Sequence, residues 1–466
     1  MIQLKEKVGY GFGDMASSMF WKIFGMYGLF FYTDVFGITA AAAGTMFLVA
    51  RLWDSFFDLY VGIKADRVKS RWGKYRPFLL WFAIPFAVMG AITFFVPSFG
   101  TTGKLIYAYV TYSLMMIVYS LINVPYAALL GVMSPDPQER NVLSSYRMSF
   151  AFIGSFIVFM LLQPLIDTYS GGPTDTGSVS TSPMAWTMGV FTIGIICAIL
   201  FFFCFRWTRE RVEPVNENKN ENVSVQQDLV NLFHNTPWWI LVGTGLAALL
   251  FNAVRDGVAI YYFRDYVRVA FRMPVTGWDI ATIYFLVGQA ANLVGVIMAP
   301  SLSAKYGKKR TYMIAMAIAA VLSAVFFYIP NHLGWILLMQ VLISLCAGYV
   351  LPLLWSMFAD IVDYQELKTG RRASGLIFSS SSMSQKLGWA LGAALSGWIL
   401  AWFSYNPEIA QQSMQTVFGE RMMISLLPAV CCVLAFFGMM FYPLSEKKVH
   451  EVTIELEKRR RENEKM

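Results

Sequence analysis

The run Arg51-Leu-Trp-Asp54-Ser-Phe-Phe-Asp58 sets one guanidinium and two carboxylates inside a stretch apolar enough to cross a bilayer. Counted from Asp54, Arg51 lies at −3 and Asp58 at +4, so a helix carries all three on one face. A charge near the bilayer centre costs roughly 3 kcal/mol or more, and such groups persist where they line a polar cavity, pair, or carry ions. Ser120 and Asn123 on another apolar run add a hydroxyl and an amide oxygen. Asp54, Asp58, Ser120 and Asn123 are therefore the candidate cation ligands. Na+ takes several such oxygens, with Asp54 and Asp58 as its anionic ligands, whereas H+ needs one buried carboxylate. The competing interpretation is that Arg51 and Asp54 only neutralise each other, which leaves Asp58 unexplained.

Four more basic groups fall within apolar runs: Lys22, Arg147, Arg255 and Lys386. A guanidinium grips a carboxylate through a planar fork, so these groups suit an acidic sugar or polarised hydroxyls. Arg255 adjoins Asp256, and pairing inside the bundle competes with substrate binding there. Aromatic residues make up 16% of the chain, and sugars pack their C–H faces on such rings. Tyr27, Tyr119, Tyr126, Tyr261 and Trp355 are candidates, although most aromatics in a membrane protein serve packing or the interfacial belt.

The elements that must position these residues follow from composition. Of 466 residues, 57% are hydrophobic and 14% charged, against about 25% charged in soluble domains. Apolar runs predict twelve transmembrane helices, near 9–33, 39–63, 77–97, 104–131, 144–166, 184–206, 238–262, 276–300, 311–329, 333–358, 373–403 and 421–443. The expected fold is an all-α polytopic membrane protein of two six-helix bundles. Residues 1–206 and 237–444 form the bundles, 207–236 a polar linker and 445–466 a tail. The five cysteines lie in apolar stretches without metal-ligand spacing, and the three histidines fall in expected loops or the tail. No cofactor is expected beyond the coupling ion.

The net charge of +8 sits mostly in alternate loops, which marks membrane topology rather than nucleic-acid binding. Loops 64–76, 301–311 and 359–372 carry the Lys/Arg excess, so they, both termini and the linker are expected to be cytoplasmic. Loop 167–183 has no Lys or Arg and is expected outside. Residues 264–272 are read as an outside loop whose Arg264, Arg268 and Arg272 go against that bias. Asp66, Arg67, Asp363, Arg371 and Arg372 cluster at cytoplasmic helix ends, where pairs among them would form a gate.

The halves echo one another. Asp66-Arg67…Arg71-Trp-Gly73-Lys74-Tyr-Arg76 follows the second run, Lys305-Tyr-Gly307-Lys308-Lys-Arg310 follows the eighth, and Pro125 corresponds in position to Pro352. Parallel repeats of this kind place a substrate site between them near the midplane. The Gly62-x-x-x-Asp66-Arg67 element resembles the loop between helices two and three of the major facilitator superfamily.

Further marks are Tyr10-Gly-Phe-Gly-Asp14, Phe31-Tyr-Thr-Asp34-Val-Phe-Gly37, Phe47-Leu-Val-Ala-Arg51-Leu-Trp-Asp54, Ser70-Arg-Trp-Gly-Lys-Tyr-Arg-Pro77, Ala359-Asp-Ile-Val-Asp363-Tyr and Thr369-Gly-Arg-Arg-Ala-Ser-Gly-Leu-Ile-Phe378. With them, nearly the whole chain resembles the glycoside–pentoside–hexuronide:cation symporters, the melibiose permease-like members of that superfamily. The resemblance implies cation-coupled sugar uptake by alternating access, in a monomer of the bacterial inner membrane. It implies cation-site roles for Asp54, Asp58 and Ser120, and sugar-site or functional roles for Arg147 and Lys386. Asn123 stands where melibiose permease has an aspartate that serves both cation and sugar. Ser17 and Ser18 replace the family's sugar-binding lysine–aspartate pair, and Ala127 replaces its stacking aromatic, departures that point away from a galactoside.

The leading expectation is a sugar or glycoside symporter driven by H+ or Na+, its substrate a uronide or an oligosaccharide. A facilitative uniporter and a sugar sensor are the alternatives. An enzyme would need a nucleophile, metal cluster or phosphate loop, and the sequence offers none.

Overall fold

The computed structural model describes residues 2–463 apart from 66, 69, 173–178, 212–229, 231, 270–272, 274–275, 370–373 and 410. The long apolar runs all become helices, because a backbone in hydrocarbon must satisfy its own N–H and C=O groups. In chain order they are α1 (Leu4–Lys22), α2 (Ala40–Ala65), α3 (Arg76–Thr93), α4 (Thr101–Met133), α5 (Pro137–Tyr169) and α6 (Pro183–Trp207). Then come α7 (Thr236–Tyr261), α8 (Ile280–Tyr306), α9 (Lys308–Phe326), α10 (Leu333–Thr369), α11 (Ser374–Trp402), α12 (Met414–Met440) and a polar helix α13 (Glu446–Asn463).

Nine of the described helices are long and apolar enough to cross a membrane. The other three long ones, α1, α2 and α11, hold much of the charge and small polar side chains singled out above. Large apolar side chains stand exposed in mid-helix, Ile84, Ile297, Val321 and Leu434 among them. Lipid, not water, is the solvent that accepts such a surface. The protein is an integral membrane protein.

Two helices lose α geometry at corresponding ends. α1 runs on through π-helical Ile23–Tyr27, a single α turn and π-helical Phe31–Val35, and α7 runs on into π-helical Tyr262–Val267. Single π turns inside helices mark functional positions more often than chance. The expected outside loop at 264–272 is thus helical as far as Val267, with Arg268 closing it in a left-handed conformation at φ 51°.

Contacts gather the chain into two compact units. The first takes in the described residues of Met1–Glu217, Asp256–Gln289 and Ala393–Glu420. The second takes in those of Asn218–Arg255, Ala290–Gly392 and Arg421–Met466. In the first, α2 and α11 meet backbone to backbone at Gly44 and Gly397. A Cβ on Gly397 would stand 2.3 Å from the Ala40 carbonyl oxygen, so small residues set how closely these helices approach.

The Ser70–Pro77 motif also acquires a physical reason. The Glu210 carboxylate accepts the backbone N–H groups of Lys74, Tyr75 and Arg76 at 2.8 to 2.9 Å, the unsatisfied donors at the start of α3. Gly73 turns the chain at φ 109°, and a Cβ there would meet Glu210 at 2.5 Å.

Candidate functional site

The α2 charges sit where α1, α2 and α4 meet inside the first unit. Asp54 is buried, and its Oδ1 accepts the Ser120 hydroxyl at 2.6 Å. Arg51 reaches Asp54 Oδ2 at only 3.7 Å and stacks its guanidinium 3.8 Å from the Trp21 ring centroid. That is a loose ion pair held partly by a cation–π contact. Asp58 lies one turn along, half-buried. Tyr119 joins the set, since Asp14, Arg51, Asp54 and Asp58 all act electrostatically on its hydroxyl. Asn123 is half-buried one turn beyond Ser120 on α4.

Arg147 donates from Nε to Asp14 Oδ2 at 3.1 Å and lies over the Tyr126 ring. Tyr126 is buried, stacked on Tyr10, with its hydroxyl donating to the Tyr10 carbonyl at 2.7 Å. Lys22 closes α1, 6.0 Å from the Phe159 ring centroid and within electrostatic range of Asp256. The first unit therefore brings together acids on α1 and α2, a hydroxyl and phenol on α4, and a guanidinium on α5. Of the four candidate cation ligands, Asp54 and Ser120 are in direct contact, while Asp58 follows one turn along α2 and Asn123 one turn along α4. The collection also presents positive charge at Lys22 and Arg147.

Two candidates lie in the second unit. Arg255 is buried, donating to Gln340 Oε1 at 2.9 and 3.2 Å and to the Ile424 carbonyl at 2.8 Å. These contacts provide the pairing within the bundle that the sequence left open. Lys386 is half-buried on α11. Of the gate residues, Arg67 is exposed and Asp363 half-buried, while Asp66, Arg371 and Arg372 lie outside the described residues. An ion pair at that end joins Lys308 to both oxygens of Asp360, at 2.7 and 2.8 Å; the sequence reading sets Asp360 beside Asp363 at the gate but does not pair it with Lys308.

A second charged cluster was missed altogether. At the helix ends away from the termini, Arg264 pairs with Asp34 and grips Asp265 through Nε and Nη2 at 2.8 and 2.9 Å. Tyr405 accepts from Arg264 at 2.5 Å and donates to Asp34 at 2.6 Å. Thr33 donates to the other Asp34 oxygen at 2.6 Å. Burial and the Asp34 charge push the Tyr405 phenol up from its ordinary value, so it stays a donor. Glu420 on α12 completes the cluster, fully buried.

Acids, hydroxyls and guanidinium groups facing inward in a helical membrane bundle mark a functional site inside the membrane. The comparisons carry this further: residues 9–446 match the description of MFS/sugar transport proteins, and the chain belongs to that family. The isoprimeverose transporter of Lactiplantibacillus pentosus is 33% identical over 96% of this chain and 90% of its own. A glucuronide carrier protein homolog of Escherichia coli K12 is 32% identical over 97% and 95%. Among solved structures, the nucleoside transporter NupG superposes with a TM-score of 0.62 at 17% identity, over 94% of this chain and 99% of NupG. That likeness establishes the fold alone. The resemblance to the glycoside–pentoside–hexuronide symporters holds along the full chain, and the protein is a sugar transporter of the major facilitator type, not an enzyme.

Proposed function

We propose that this protein imports a glycoside in symport with H+ or Na+ by alternating access, with Asp54, Asp58, Ser120 and Asn123 as the coupling site. The observation that carries this reading is the buried Asp54. Its carboxylate is held by a hydroxyl at 2.6 Å but by its helix-mate cation at 3.7 Å, with a second acid one turn away. A purely structural ion pair in low dielectric would close to direct hydrogen bonding. For Na+, the fit rests on the Asp54 and Asp58 carboxylates, the Ser120 hydroxyl and the Asn123 amide oxygen, a hard-oxygen donor set.

Lys22 and Arg147 support a uronide or an oligosaccharide that carries one, as does the name of the glucuronide carrier homolog. The isoprimeverose transporter's name supports a neutral glycoside, in which case both cations bind hydroxyls. The membrane is the bacterial inner membrane, the working unit a monomer, and the termini face the cytoplasm, as the Lys/Arg loop bias requires.

The Arg51–Asp54 contact favours one competing reading, a uniporter whose α2 charges are structural. Uptake of labelled neutral and uronic glycosides into vesicles under imposed proton or sodium gradients separates the two. Accumulation that disappears in Asp58→Asn establishes coupling and names the cation. Equilibration without accumulation, unchanged in Asp58→Asn, leaves the uniporter.

A further inference from the structure

The Asp34–Arg264–Asp265–Glu420 cluster carries three carboxylates and one guanidinium in the interior of the first unit. The donors of Arg264 are engaged: one nitrogen meets Asp34, and the other two meet Asp265 and Tyr405. Among the described residues no hydrogen-bond donor reaches either Glu420 oxygen, although that side chain is 0% exposed. Its carboxyl faces Asp265, itself a carboxylate. Two carboxyl groups facing each other in a buried site disfavour a second negative charge, so one of them tends to hold a proton. An ionised Glu420 would bury a third negative charge against one positive one, with no donor to solvate it.

The remaining titratable groups facing Glu420 are Arg264, Asp34 and the Tyr261 hydroxyl, with Tyr405 behind Arg264. None of them supplies a second cation. Arg421, the next residue, spends its guanidinium on the Phe327 carbonyl at 2.7 Å.

We propose that Glu420 is a proton-binding site, and that its protonated carboxyl latches α1, α7 and α12 together through Asp265, Arg264 and Asp34. Release of the proton to water lets these helix ends part. On the orientation proposed above, the latch closes the outer side. It sits where the fold can yield, since Asp34, Arg264 and Asp265 all belong to the π-helical ends of α1 and α7. The site is separate from Asp54 and Asp58, and holds whether the driving ion is H+ or Na+.

The sign follows from linkage: the closed state holds one more proton than the open state, so acid closes the latch and alkali opens it. Spin labels on Ser98→Cys and Met414→Cys report the distance across these ends. Both positions are exposed, while the five native cysteines are buried. The full chain in lipid nanodiscs, with no sugar and no gradient, is measured between pH 5 and pH 9. The parent is expected to shift toward longer distances as pH rises, with the open-to-closed ratio climbing about tenfold per pH unit through the titration.

Glu420→Gln, a neutral isostere, is expected to hold the short distance at every pH, and Asp58→Asn to keep the parent's shift. A parent insensitive to pH, a Glu420→Gln variant that tracks the parent, or a shift abolished by Asp58→Asn but not by Glu420→Gln overturns the proposal. Failure of sugar accumulation leaves the distance measurement unaffected, so the two readings fall separately.

Discussion

On α2 the charges arrive together, Arg51, Asp54 and Asp58 within eight residues on one helix face. At the far helix ends Asp34, Arg264, Asp265 and Glu420 converge from three separate stretches of chain. In the first cluster Arg51 stands 3.7 Å from Asp54 and is turned onto Trp21. In the second, one guanidinium bonds Asp34, Asp265 and Tyr405 at once. A carboxylate whose cation stands at such a distance can exchange that cation for an ion. A carboxylate locked on a guanidinium that bonds through all three of its nitrogens can only hold or release the elements it ties together. On the two proposals above, the first cluster binds and the second gates.

Arg264 is where this contrast breaks most sharply. Arg264→Met would strand buried carboxylates with no cation, at a cost of about 3–5 kcal/mol. Thermal unfolding of the purified protein should show the largest drop of any substitution considered, with partial recovery when Asp34→Asn is added. A drop no larger than that of Arg51→Met would mean that the two clusters are energetically alike.

Arg51→Met should cost less, about 2 kcal/mol, because the pair is long and the ring contact is partly replaced by packing. Combining it with Asp54→Asn should show a coupling of about 1 kcal/mol or less in a double-mutant cycle. A coupling near that of the Arg264 pair would restore the structural reading of α2.

Glu210 provides a third solution, an anion held by three backbone N–H groups rather than by a side-chain cation. Glu210→Gln keeps the shape but removes the charge and puts an NH2 donor where one acceptor oxygen stood at the start of α3, at about 1–3 kcal/mol. Unlike the changes at Arg264, this loss should be indifferent to any second-site carboxylate removal. Measured stabilities of the single and paired variants check it.

How much of this was legible in the sequence depends on where each residue fell relative to a helix end. Arg51, Asp54 and Asp58 lie deep within one run, where charge is conspicuous and the spacing alone gives a shared face. The missed cluster sits at the margins of the expected helices: Asp34 one residue beyond 9–33, Arg264 two beyond 238–262, and Glu420 one before 421–443. Each looked like loop charge. The π turns of α1 and α7 and the earlier start of α12 at Met414 carry these residues inside the bundle. Hydropathy has little signal for any of that. The available clue was Arg264 itself, a basic residue in an expected outside loop that goes against the topology bias. Pairing between distant helices was equally hidden, so Lys308–Asp360 replaced no residue the sequence could have ranked higher.

Glu139 supplies the baseline for both clusters, a carboxylate at the protein surface held by two hydrogen bonds. The Ser134 hydroxyl, at 2.7 Å, and the backbone N–H of Ile2, at 2.9 Å, hold its carboxyl below the usual range. A depressed value means that the stabilisation is complete above the ordinary carboxylate pKa, about 4.3, and is lost as pH falls through the lower folded value. Glu139→Gln should therefore lower the unfolding midpoint slightly at pH 7, by no more than about 2 °C, and not at all once the parent's own carboxyl is protonated. Added salt should erase the same small difference, since the group is open to solvent. Neither acid nor salt should erase the Arg264→Met defect so readily, because its charges are shielded from both by burial. If the two variants respond alike to salt, the far helix ends are wetter than their geometry allows, and the latch loses the low dielectric it depends on.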